Sequence, residues 1–260
     1  MNNSRTALVR ALVLGGALVC AGRALALEDE IQVYDDDIDR PGEYGLETHL
    51  NTTPRGRKTP DYPGDVPPYH GLRITPEFSR GLTPTLEAGL YVPTTMDADG
   101  KYYVSGSKLR LKWLPVHDEQ NGGWYFGTNH ELSWVGPEFS ESRRGYELRM
   151  IGGYRARDWL LGANAILGWG LSPGHRGSPD TTYAFKAVHD VRHGIALGAE
   201  YYNDLGTLAN RLPGQLQGRT LYLIAEAERL PWSVNFGVGH GLTPATDNWT
   251  VKAIVGYSFQ

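Results

Sequence analysis

From about residue 44 onward, apolar and polar positions alternate with a period of two. In "PTLEAGLYV", Leu86, Ala88, Leu90 and Val92 share a face opposite Glu87, Gly89 and Tyr91. In "SKLRLKW", Leu109, Leu111 and Trp113 oppose Lys108, Arg110 and Lys112, and "GYELRM", "IALGAEYYND" and "WSVNFGVG" repeat the scheme. This period predicts strands with one apolar face. Twelve segments follow it, near 44–51, 71–79, 84–93, 102–114, 124–134, 145–155, 159–171, 180–191, 195–204, 219–228, 232–241 and 248–259. The connections alternate too. "RGLT", "RAR", "RHG" and "RLP" are tight and "PVHDEQNGG" is moderate, whereas the opposite set is generally longer and rich in Gly, Pro and charge.

Two segments share a frame, "WYFGTNHELSW" (Trp124 to Trp134) and "WLLGANAILGW" (Trp159 to Trp169). Ten residues is an even offset, so in a strand both rings point to one side. They lie ~33 Å apart along the strand. Tilted by ~40°, that projects to roughly 25 Å, the height of the apolar band between the aromatic girdles of an outer-membrane barrel. Trp113, Trp124, Trp159 and Trp232, with Phe78, Tyr154, Tyr257 and Phe259, fall at the short-turn end. Trp134, Trp169 and Trp249, with Tyr103, Tyr146, Tyr183 and Tyr201, fall at the other, and each ring lies on its strand's apolar face. Rings at both interfaces are expected where a sheet crosses a bilayer.

The expected fold is therefore all-β, a twelve-stranded antiparallel transmembrane β-barrel over 44–260, with short periplasmic turns and longer extracellular loops. A soluble sandwich or lipocalin-like barrel would alternate as well, but would turn its apolar face inward. Composition agrees: among 260 residues there are Gly 33, Tyr 15 and Trp 7, a mixture that favours sheet over helix. A net charge of −4 offers no basic field for nucleic acid. Residues 1–26 combine Arg5 and Arg10, a short apolar run and "ALA" at 24–26, which predicts a signal peptide cleaved before Leu27. The single cysteine, Cys20, would leave with it; a membrane anchor, for which the apolar run is short, and a lipoprotein signal at Cys20 are the rival readings. Residues 27–43, with the acidic run "YDDDID", are expected to form a solvated periplasmic arm.

The inward face collects Arg73, Glu77, Glu87, Lys108, Arg110, Lys112, Glu131, Glu147, Arg149, Lys186, Glu200 and Glu226 as candidate solute contacts, together with Glu47, His49, Asp190, Asp204, Glu228 and Lys252. In a dry core each charge would need a partner or cost several kcal/mol; a wet lumen tolerates them. Mixed signs leave two readings open, a paired network that fills a narrow barrel or a channel lining that orients a small solute. Lys108, Arg110 and Lys112 could form an anion-favouring stripe, or be neutralised by Glu87 and Glu131.

Other features carry less. "DADGK" (97–101) holds part of a calcium-loop pattern but lacks the rest, and is read as an ordinary Asp-Gly loop. "PRGRKTPDYPGDVPP" either folds across the outer mouth or remains a surface loop. His130 falls on the lipid-facing parity. If Trp113 paired with Trp124, Ser107 would lie across from it, an arrangement able to hydrolyse a lipid ester.

The C-terminal "VKAIVGYSFQ" resembles the last strand of outer-membrane barrels, with aromatics at Tyr257 and Phe259, a pattern read by the barrel-insertion machinery. It departs from the common form in that Gln260 follows the final aromatic. "EIQVYDDDIDRPGEYGLETHLN" and "GLRITPEFSRGLTPTLEAGLYVPT…KLRLKWLP" resemble outer-membrane barrels related to the phenol-degradation meta-pathway (MetA-type) family. That resemblance implies a bacterial outer-membrane location, contact with lipid and lipopolysaccharide, and a pore or transport-associated role for small molecules. It implies no catalytic residue, cofactor or metal. The alternatives are a structural barrel with a plugged lumen and the lipid-ester hydrolase just described.

Overall fold

The structure is a computed structural model that describes residues 30–118, 121–192, 194–229 and 231–259; the expected signal peptide and Cys20 lie outside them. The strands are β1 (Tyr44–Arg55), β2 (Leu72–Thr83), β3 (Leu86–Tyr91), β4 (Thr94–Met96), β5 (Tyr102–Val104), β6 (Gly106–Val116) and β7 (Gly123–Val135). They continue with β8 (Arg144–Arg155), β9 (Trp159–Gly170), β10 (Asp180–Arg192), β11 (Ile195–Thr207), β12 (Gly218–Arg229), β13 (Trp232–Gly241) and β14 (Trp249–Phe259). Among the described residues there is no helix.

Fourteen strands make twelve staves. β2 pairs with β3 over one half of its length and with β4 over the other, while β6 continues the pairing on β3 and β5 on β4. The sheet closes because β1 pairs with β14 on one side and β2 on the other. Every other neighbour is consecutive along the chain and antiparallel. Hairpins at Thr83–Leu86, Arg155–Trp159, Arg192–Ile195 and Arg229–Trp232 mark the short-turn end, and the longer loops lie opposite.

The two split staves have local causes. Pro93 follows β3 and cannot donate to a ladder. At Ser105 and Gly106 the next stave changes face: Tyr102 and Val104 are exposed before the break and Leu109, Leu111 and Trp113 after it, while Ser105 is buried. Gly106 makes the switch at φ +110°, where a Cβ would stand 1.9 Å from the Trp134 carbonyl oxygen. Extending the parity of Leu109 back to Tyr103 therefore fails. Tyr103 donates to Asp97 instead, and Tyr102 is the exposed ring.

The barrel is inside-out relative to a soluble protein. Leu109, Leu161 and Val234 are exposed, whereas Arg110 and Glu200 are buried. The girdles form as cross-strand partners. Trp124 lies against Tyr154 and Trp232 against Tyr257, with ring centroids 5.1 and 4.7 Å apart, and Tyr44 stacks on Phe259 at the same end. Tyr146 stacks on Trp169 at 5.5 Å at the other. Aromatic contacts of this kind add to sheet pairing.

Candidate functional site: a lumen threaded by the N-terminal arm

Residues 30–39 do not form a solvated arm. They run inside the barrel, from the level of Arg149 and Lys252 halfway up the wall down to the short-turn end, where Pro41 bridges Gly81. Ile31, Tyr34 and Ile38 pack into a buried cluster with Leu114, Tyr125, Ile151, Leu160, Val188, Ala196 and Ile224 of the wall. Burying each large apolar side chain is worth about 1.5–3 kcal/mol. The acidic run that suggested solvation is paired with lumen bases. Lys186 Nζ donates to Asp35 at 2.8 Å, and Arg155 donates twice to Asp36, each at 2.6 Å.

The arm's backbone is satisfied in the same way. Tyr34 N donates to Asn164 Oδ1 at 2.7 Å, and Asn164 Nδ2 donates to Tyr34 O at 2.8 Å. Arg149 donates to the Gln32 carbonyl at 3.0 Å and Lys252 to the Ile31 carbonyl at 2.8 Å. The Tyr34 hydroxyl shares a 2.7 Å hydrogen bond with Tyr91, and Arg149 sits 4.3 Å over its ring. Burial pushes the Tyr34 hydroxyl well above its ordinary pKa. Nothing in the strand pattern signalled this docking except the apolar residues of inward parity, such as Tyr125, Ile151 and Ile224, which gather where the arm lies.

The predicted lumen residues are placed as follows. Glu77 and Glu87 share Arg110 at 2.5 Å each, and Glu77 also meets His49. Lys112 lies 5.1 Å over the Tyr34 ring. The anion-favouring stripe is thus neutralised at its centre, by Glu87 together with Glu77. Glu131 stands directly across the ladder from Arg110 and also accepts from Asn129 at 2.8 Å. Lys108 stands between Tyr91 and Ser133 in the ladder. Glu147 pairs with Arg149 at 3.0 Å, and Glu200 with Lys252 at 2.5 Å. Lys186 joins Glu226 at 2.6 Å as well as Asp35. Near the outer end Arg73 lies 4.3 Å over Phe139. Asp204 accepts from Gly206 N at 3.0 Å, and Asp190 and Glu228 are exposed at the short-turn mouth.

Among the described residues, two cavities lie beside the arm. One of about 460 Å³ is lined by Asp35, Asp37, Arg155, Lys186, Asp190, Glu226 and Glu228 among others, and so reaches the short-turn mouth. One of about 210 Å³ lies against Glu47, Glu77, Glu87, Arg110 and Lys112. Two carboxyls of the arm differ in character. Burial raises Asp35, but the Lys186 ammonium outweighs it and holds the carboxyl at about 2. Burial and the Glu87 charge push Asp39 up to about 6, against the Ser79 hydroxyl that donates to it at 2.5 Å.

The outer face does not bring Ser107 and His130 together. Trp113 pairs with Thr128, not Trp124, so Leu111 lies across from His130 and Ser107 across from Trp134. The Trp113–Val116 irregularity and the loop beyond it set that register. The His130 ring bonds Thr128 at 3.2 Å and Tyr146 at 2.8 Å instead. Asp97 of "DADGK" is occupied as a turn former, accepting from Asp99 N, Lys101 N and the Tyr103 hydroxyl. The long 56–71 loop is anchored: Arg57 pairs with Asp65 at 2.6 Å and its amide donates to Asp247 at 2.8 Å.

A closed barrel with an apolar exterior, two aromatic girdles and a charged lumen defines an outer-membrane-type β-barrel. The solved structures it resembles are of that class. The COG4313 outer-membrane channel from Pseudomonas putida F1 matches at TM-score 0.60 and 12% identity over 88% of this chain and 100% of that one. The KdgM porin matches at TM-score 0.56 and 11% identity over 83% and 99%, and the NanC porin at 0.51 and 11% over the same shares. At such identities the likeness is one of fold. No family model and no curated protein matches the sequence.

Proposed function

We propose that this protein is a passive channel for small molecules in a bacterial outer membrane, narrowed by its own N-terminal segment. The observation that carries the reading is the lumen, where charges of both signs are paired yet about 460 Å³ stays open beside the arm to the short-turn mouth. Of the twelve predicted contacts, Lys186 and Glu226 line that space and Glu77, Glu87, Arg110 and Lys112 the smaller one; these six are the proposed solute contacts. The girdles would meet lipid and lipopolysaccharide, and exposed Tyr257 and Phe259 on β14 would present the recognition pattern for barrel insertion. The resemblance to the phenol-degradation meta-pathway group belongs to this proposal and rests on the sequence motifs.

A second reading, a structural barrel with a plugged lumen, is favoured by the apolar cluster that the arm builds with the wall. Single-channel recording in planar bilayers separates the two. A channel gives a small conductance in the full-length protein, and deletion of residues 30–39 raises it several-fold. No current in the full-length protein supports the plug.

A further inference from the structure

At the short-turn half of the lumen, β1 and β2 bring together three metal-ligating groups. Glu47 and His49 are two apart on β1 and so face inward together, and Glu77 lies directly across the ladder from Glu47. His49 Nε2 is 3.3 Å from Glu77 Oε2 and 3.8 Å from Glu47 Oε2. One donor atom from each residue falls within a 4.8 Å group. Donors bound tetrahedrally to one ion at about 2.0–2.1 Å stand roughly 3.3 Å apart, so this spacing needs only a small closure.

The local charge also calls for a cation. Like charges placed directly opposite on neighbouring strands repel, yet Glu47 and Glu77 are such a pair. Arg110 is already divided between Glu77 and Glu87, and Asp39 presses its amide and its carboxyl against the same corner. Around the one cavity they line, carboxylates outnumber bases by eight to three, with Glu47, Glu77 and Glu87 nearest Arg110 and Lys112. The excess of negative charge is one that a divalent ion reduces. Access is open, because Glu47 lines both cavities.

We propose that Glu47, His49 and Glu77 form a site for a divalent transition-metal ion of the zinc class. An imidazole beside two carboxylates suits zinc, cobalt or nickel, whereas magnesium and calcium take oxygen donors alone. Three protein ligands leave a fourth position for water or a solute donor facing the lumen. Arg110 holds the other oxygen of Glu77 and so orients that ligand from outside. The competing arrangement is an Nε2–H of His49 donating to Glu77 with no metal.

The test uses untagged full-length barrel in detergent, stripped with chelator, and reads metal binding directly, so its outcome is independent of conductance. Zn2+ is titrated by calorimetry and Co2+ by visible absorption. The expected result is one ion per chain and ligand-field bands of four- or five-coordinate cobalt, undisturbed by excess Mg2+ or Ca2+. Glu47→Gln and His49→Gln should each weaken binding by about tenfold or more. Glu228→Gln, which lines the same cavity away from the cluster, should leave it unchanged. Heat-modifiable migration confirms that each variant is folded. Absence of saturable binding in the wild type, or equal binding in a folded His49→Gln or Glu47→Gln variant, overturns the site.

Discussion

Arg155, on the last residue of β8, holds Asp36 of the arm by two parallel hydrogen bonds of 2.6 Å, across 119 residues of chain. Such forked pairs are strong and directional. Arg155→Gln leaves the buried Asp36 carboxylate without its main partner. Breaking a buried pair costs up to about 3–5 kcal/mol, and the partial exposure of Arg155 reduces this. Because the loss falls on arm docking and not on the ladders, the variant should fold as the wild type does and conduct several-fold better. Asp36→Asn should behave alike, with a smaller effect because a neutral acceptor remains.

Arm docking should depend on pH through Asp39. Its carboxyl is raised from 3.8 to about 6 when docked, by burial and then by Glu87, with Glu43 adding to the rise and Ser79 and Arg110 opposing it. A raised value means the docked arm holds the proton more tightly. Docking is therefore strongest below about pH 4, weakens as pH rises from about 4 to about 6, and changes little above that. Asp35, held at about 2, contributes stability that is lost only on strong acidification. Open-channel probability should rise between about pH 4 and about pH 6 and level off above that, and Asp39→Asn should hold it at the low-pH level throughout.

The strand register on the outer face can be read by cross-linking. Leu111 and His130 are direct partners, while Ser107 faces Trp134. Antiparallel partners stand within the Cα range that a disulfide spans. Oxidation should join Leu111→Cys to His130→Cys and leave Ser107→Cys with His130→Cys unlinked, seen as a mobility shift of the unfolded chain. Ser107→Ala should not alter any activity of the barrel, since its hydroxyl has no histidine opposite.

The same register explains what could be read in advance. Trp124, Trp134, Trp159 and Trp169 faced outward in the sequence and do so in the barrel, because parity survives any even slip. Pairing Trp113 with Thr128 instead of Trp124 is a slip of four, so faces were kept while partners changed. Partners depend on turn geometry beyond Trp113, which alternation does not encode. The arm's docking is hidden from the sequence for a different reason. Asp35 and Asp36 look solvated in isolation, and only the closed wall brings Lys186 and Arg155 to them. The face change at Gly106 needed a positive φ that a lone glycine in a strand merely permits. Glu47, His49 and Glu77 were each legible as inward, but their convergence came from the β1–β2 ladder.

The outermost claim of the fold is that its apolar side meets lipid, and Leu223 tests it directly. This residue sits midway along β12, opposite Ala199 on one neighbour and Val238 on the other, and is 70% exposed. In water, an exposed Leu→Arg change would cost little. At the midplane of a bilayer, arginine on the lipid face of a barrel costs about 2–4 kcal/mol, falling to roughly 0–1 near the interface. Leu223→Arg should therefore lower folding stability in phospholipid vesicles by that larger amount, measured by urea titration of folded and unfolded bands. Leu242→Arg, one residue past the loop end of β13, should lower it by no more than the smaller. Equal, small effects at both positions would mean that Leu223 does not face hydrocarbon.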